Sequence, residues 1–187
     1  MQSEMLQHEI ASLRGEVKLL REIKQVLVPM LDGDVSIEGA EKLKDRLQTL
    51  RVGNPLDKNT DIGAINSKAQ LAKIEELVAA GVDEGAEMYQ PECALPERGF
   101  WFRPTLFTNV SQSHRIAREE IFGPVLSILT FRTPAEAVEK ANNTPYGLSA
   151  GIWTEKGSRI LWMAERLKAG VVWANTFNRF DPTSPFG

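Results

Sequence analysis

Apolar residues recur every seven positions at the start of the chain. Leu6, Leu13, Leu20 and Leu27 form one register, and Ile10, Val17 and Lys24 fall between them at the alternating four-three spacing. This is a heptad pattern with Leu at every d position and Ile, Val and Lys at successive a positions. Leu at d with β-branched residues at a favours two parallel helices, and one polar a residue fixes their register at some cost in stability. Glu9 and Glu16 occupy g positions and Arg14 and Arg21 the following e positions, so each Glu has an Arg to meet on a partner helix. A homodimer through Leu6, Ile10, Leu13, Val17, Leu20 and Leu27 is the sharper reading. The plainer one is a single amphipathic helix lying on its own domain. Gly15 weakens the helix by about 1 kcal/mol relative to Ala, and Pro29 ends it because it lacks an amide hydrogen and clashes with the preceding turn. The stretch LDGDVSIEG, residues 31–39, reads as a linker of turn residues.

From Glu41 the periodicity changes. A helical pattern over 41–50 leads into the loop VGNPLDKNTDIGAI. Ser67 is placed to cap a helix running to Glu84, with Leu71, Ile74, Leu77 and Val78 on one face. Strand-like runs follow at Ala86–Tyr89, Thr105–Phe107, Val125–Phe131, Leu148–Trp153 and Val171–Asn175. Between them lie a helix from Thr133 through Ala141, with Pro134 at its first position, and a second helix from Lys156 to Lys168. Strands alternating with helices of this length predict an α/β domain with a largely parallel sheet and flanking helices. The expected organisation is a helical, coiled-coil-like extension and linker over 1–38 and the α/β domain over 39–187.

Composition narrows the function classes. The chain has 22 Lys and Arg against 25 Asp and Glu, a net charge of −3, and no basic stripe. That excludes a nucleic-acid surface and an anionic membrane surface as expectations. The apolar runs are too short to span a bilayer. The opening MQSEMLQHEIASLRGE is too polar for a secretory signal and too acidic for a transit peptide. One cysteine makes no intrachain disulfide, and no Cys/His cluster offers a metal site. A cytoplasmic protein is expected.

Five stretches carry more than fold class. They are VGNPLD at 52–57, RGFWFRPTLF at 98–107, EEIFGPV at 119–125, ANNTPYGLSAGIWT at 141–154, and GVVWANTF at 170–177 running on to SPFG at 184–187. In order and spacing they resemble consecutive landmarks of the aldehyde dehydrogenase superfamily, over residues 41 to 187. The resemblance implies a partial catalytic domain of an enzyme that oxidises aldehydes to acids with NAD or NADP. In that chemistry a cysteine thiolate adds to the carbonyl, hydride passes to the nicotinamide, and a glutamate-activated water releases the acid. In the family, the nucleophilic cysteine, the base and the dinucleotide-binding domain all precede the region matched here. A truncated family product with no activity of its own is therefore expected, and no catalytic residue is assigned.

Residue by residue, the resemblance assigns Glu120 to the nicotinamide-side ribose hydroxyls, a fitting role for a group that only accepts hydrogen bonds. It sets Phe122 beside the same ribose and nicotinamide. Phe180 and Phe186 correspond to aromatic residues near the aldehyde tunnel, although packing alone would explain them equally well. Cys93, in the loop PECALPERG, is not read as a replacement nucleophile, since no histidine is near it in sequence to serve as its base. His114 reads as a surface helix residue, and Asp57 and Asp61 as solvated loop carboxylates. The competing function class is a non-catalytic interaction module, dimerised by its heptads and binding partners such as full-length relatives.

Overall fold

A computed structural model describes residues 37–186 of the chain. The heptad segment lies outside the described residues. The first described element, α1 (Ile37–Gln48), places Leu43 and Leu47 one turn apart, and with Leu50 they pack on Ile62 and Leu106. A loop then leads to α2 (Lys68–Asp83). Its start is fixed by Ser67, whose Oγ accepts from the Gln70 amide at 3.1 Å. This satisfies one of the donors that a helix leaves unpaired in its first turn. Ile74, Leu77 and Gly81 recur at helical spacing and form the buried face of α2.

Three strands make the first sheet. β1 (Glu87–Tyr89) runs antiparallel to β2 (Thr105–Thr108), and β2 runs parallel to β3 (Val125–Ser127). The central strand is the most buried: Leu106 and Phe107 are fully enclosed, one facing each side. Thr105 is also buried and keeps its hydroxyl satisfied, donating to the Arg103 carbonyl at 3.0 Å and accepting from Gln90 Nε2 at 2.8 Å. A single-turn helix, α3 (Arg115–Arg118), precedes β3 and contributes Ile116 to the core with Ile74, Leu77 and Phe107.

The second sheet is a parallel pair, β4 (Ser149–Ile152) and β5 (Val171–Ala174), joined through helix α5 (Gly157–Ala164). Parallel strands need such a crossover. Helix α4 (Pro134–Asn142) precedes β4. Thr133 caps α4 by accepting from the Glu136 amide at 3.2 Å, and its buried Ala137 and Val138 meet Ile152 and Met163. Asn175 closes the end of the pair: its Oδ1 accepts from the Thr154 amide at 2.9 Å and its Nδ2 donates to the Thr154 carbonyl at 3.0 Å.

The α/β organisation, the Ser67 cap and the helix start at Thr133 and Pro134 agree with the sequence reading. Several boundaries differ. Helix α1 begins at Ile37, inside the stretch read as linker, because one glycine (Gly39) does not stop a helix. β3 ends at Ser127 rather than Phe131, since its partner β2 is four residues long and offers no further ladder. Helix α5 ends at Ala164 rather than Lys168. The amides of Arg166 and Leu167 both turn back to the Met163 carbonyl, which closes the last turn early. Parallel pairing dominates, but over two small sheets rather than one.

Candidate functional site

The segment Glu119–Val125 crosses the N-terminal end of α2 before entering β3. Its shape is fixed from two sides. Gln70 Nε2 donates to the Ile121 carbonyl at 2.9 Å and to the Phe122 carbonyl at 3.3 Å. Gly123 lies flat on Ile74, so close that a β-carbon there would fall 2.6 Å from Ile74 Cδ1. Between these anchors Phe122 holds a left-handed backbone, with φ of 54°. Such a conformation costs a non-glycine residue about 1–3 kcal/mol and persists where surrounding contacts over-determine it. The result is an aromatic ring held at the surface, 45% exposed.

Next to it, Glu120 is half-buried on the wall of a groove of about 160 Å³. One wall is residues 116–123, 125–127 and 129; the other is 141, 142, 144, 146–150 and 167–169. Glu119, on the other side of Glu120, is engaged elsewhere. Arg115 Nε meets its Oε1 at 2.5 Å, and Lys73 Nζ meets its Oε2 at 3.3 Å. The Arg115 hydrogen bond, above all, draws the Glu119 carboxyl down to about 2. Arg115 also reaches Glu76 at 2.8 Å, which helps hold α3 against α2.

Phe180 and Phe186 lie in a separate place. Their rings meet edge-on with centroids 4.9 Å apart, and both pack on Trp173, at 5.8 and 6.1 Å. Trp173 is buried and donates from Nε1 to the Arg179 carbonyl at 3.2 Å, while Phe177 closes on its other flank at 4.8 Å. Phe180 and Phe186 remain 56% and 42% exposed. The structure thus brings Glu120 and Phe122 together on one groove, and Phe180 and Phe186 together on one aromatic cluster. None of the cluster's residues lines the groove.

The other candidates are placed as follows. Cys93 is a free, half-buried thiol in the loop between β1 and β2. His114 caps α3 without a side-chain bond to that helix, and its Nδ1 accepts from the Ser111 amide at 3.3 Å. Asp57 Oδ1 accepts from the Asn59 amide at 2.9 Å and Asp61 Oδ2 from the Arg51 amide at 3.0 Å, so both carboxylates are tied into their loop. Gln70, Trp173 and the Arg115–Glu119 pair were not singled out from sequence. The partner of Gln70 lies 51 residues along the chain, and only a Gln on the first turn of a capped helix was visible.

The arrangement sets a hydrogen-bond acceptor and a flat apolar ring side by side. A carboxylate on a groove wall accepts from vicinal hydroxyls, and an exposed flat ring beside it packs on a ribose or pyridine face.

Comparison with known proteins follows the same line. A model of the aldehyde dehydrogenase family matches residues 30–187, beginning earlier than the motifs do. Retinal dehydrogenase 2 of Rattus norvegicus is 41% identical over 150 residues, which are 80% of this chain and 29% of that protein. The NAD-dependent aldehyde dehydrogenase of Sinorhizobium meliloti superposes with a TM-score of 0.84 at 34% identity, covering 95% of this chain and 37% of that one. Betaine aldehyde dehydrogenase of Staphylococcus aureus, solved in complex with NAD+, gives 0.77 at 32% identity over 82% of this chain and 31% of that one. The chain spans about a third of the length of the relatives it matches. It belongs to the aldehyde dehydrogenase family.

Proposed function

We propose that this chain furnishes the nicotinamide-side edge, through Glu120 and Phe122, and part of the aldehyde-side wall, through Phe180 and Phe186, of an NAD(P)-dependent aldehyde oxidation, and that it does not turn aldehyde over by itself. The observation that carries the reading is the fixed turn at 119–123. A left-handed Phe122 held by Gln70 and Ile74 presents a carboxylate and an aromatic ring side by side. The cofactor, when bound, supplies the hydride acceptor. Glu120 accepts from its ribose hydroxyls and Phe122 covers the adjoining face. The silence follows from the surroundings of Cys93: among the described residues this free thiol makes no hydrogen bond or ion pair with a base.

Two charge-assisted hydrogen bonds contribute at most about 1.5–3 kcal/mol each. Association alone costs about 4 kcal/mol or more. Binding of NAD no tighter than millimolar is the expected result of a calorimetric titration. Micromolar affinity that weakens in Glu120→Gln would show instead a complete and independent cofactor site.

A second reading is favoured by the heptads of residues 6–27: a dimerising interaction module that associates with its own copies and with full-length relatives. The two readings share the family fold and differ in what the chain does with it. Among the described residues no helix is long and apolar enough to cross a membrane, and we place the protein's action in the cytoplasm.

A further inference from the structure

Trp173 is the hub of the aromatic cluster, and its own surface is buried. The rings of Phe180 and Phe186 meet edge-on at 4.9 Å and leave much of their surface open. Two open rings side by side make an apolar face on which a further flat ring can pack edge-on or offset.

One cation adjoins this face. Arg179 directly precedes Phe180, and its carbonyl accepts from Trp173 Nε1 at 3.2 Å, so its backbone is pinned to the hub of the cluster. Asn178, before it, holds a left-handed backbone with φ of 54°, a conformation that asparagine tolerates better than most residues. The backbone of Arg179 is therefore fixed at the cluster. Its side chain is exposed and, among the described residues, makes no ion pair and no hydrogen bond. The carboxylate two residues on is committed to its own turn. Asp181 Oδ1 accepts from the Thr183 hydroxyl at 2.7 Å and from the Thr183 amide at 2.9 Å, and the Ser184 amide donates to the Asp181 carbonyl at 3.0 Å.

An unpaired guanidinium beside open aromatic rings offers two kinds of recognition at once. The rings take a flat apolar body, and the planar fork of the guanidinium takes a carboxylate through two parallel N–H donors. We infer that Arg179 is a specificity-determining residue, which gives the aldehyde-side wall a preference for aromatic aldehydes that carry a carboxylate on the far side of the ring from the formyl group. A neutral aldehyde of the same shape has only the ring contacts. The inference rests on the reading of Phe180 and Phe186 as aldehyde-side wall and adds to it the charge of the substrate. Arg179 acts on binding and takes no part in bond making. Because it stands in solvent, its pairing is screened by salt and is worth roughly two- to fivefold in affinity.

The test is a titration of the intact chain at low salt with 4-carboxybenzaldehyde and, separately, with 4-formylbenzamide, its neutral counterpart of the same shape. The readout is the indole N–H resonance of Trp173, the proton donated to Arg179, which reports on this cluster. The acid is expected to bind about two- to fivefold more tightly than the amide. Arg179→Gln should make the two bind alike, Arg179→Lys should keep part of the preference, and high salt should remove most of it. Equal affinities in the wild-type chain, or a preference that survives Arg179→Gln, would overturn the role of Arg179 and leave the aromatic wall standing. No response of Trp173 to either aldehyde would overturn the wall and the inference together.

Discussion

Gly123 and Ile74 pack so closely that no methyl group fits between them: a β-carbon at residue 123 would sit 2.6 Å from Ile74 Cδ1 and 2.8 Å from its Cγ1. Ile74 is fully buried against Leu77, Phe107 and Ile116 and has no room to retreat. The glycine of EEIFGPV is thereby explained by packing, and the Phe122 turn is clamped to α2 at Ile74, one helical turn on from the Gln70 hydrogen bonds.

Gly123→Ala should therefore destabilise the domain by about 1–3 kcal/mol, the usual cost of forcing a methyl group into a packed interior. Urea unfolding measures it. Adding Ile74→Val, which removes the clashing Cδ1, should recover part of the loss. Losses that simply add would show that the two residues are not coupled.

Acid should act on the α2–α3 contact through Glu119. Its carboxyl lies at about 2 in the folded chain, held there first by Arg115, against an ordinary value of 4.5. A folded pKa below the unfolded one gives stability that is fully present above about 4.5 and is lost as pH falls toward 2. With side chains 38% and 39% exposed, Arg115 and Glu119 are partly screened by solvent, so the effect is modest. In thermal unfolding followed from pH 6 to pH 2, Glu119→Gln should be less stable than the wild type at pH 6 and should converge on it at pH 2. Parallel curves would remove Glu119 from the acid response.

Both helix starts were legible because they are local: Ser67 and Thr133 each stand just before a helix, and each oxygen accepts from the amide three residues on. The five motifs similarly marked the family. Strand ends were less legible, because the length of β3 is set by β2, twenty residues away by register, and not by its own apolar run to Phe131. The Gln70 clamp spans 51 residues and leaves no periodic trace. Trp173 anchors Phe180 and Phe186 through packing, which residue type alone does not announce. The heptad reading lies outside the described residues and stands on sequence.

That reading has its own outcome. Burying a leucine contributes roughly 1.5–3 kcal/mol, so four at d outweigh Gly15 and a polar Lys24 at a. Sedimentation equilibrium of the whole chain should give a dimer, Leu13→Pro a monomer, and Lys24→Ile a tighter dimer. Unchanged mass in both variants would make the heptads an amphipathic face on their own domain.

The central claim is that this chain carries the cofactor-edge and pocket-wall residues of an aldehyde dehydrogenase without the means to run the reaction alone. The direct measurement is the appearance of reduced cofactor when the purified chain is incubated with NAD or NADP and a panel of short-chain and aromatic aldehydes. The account predicts a rate indistinguishable from the no-protein blank. A rate above the blank that disappears in Cys93→Ser would contradict it and make Cys93 the nucleophile.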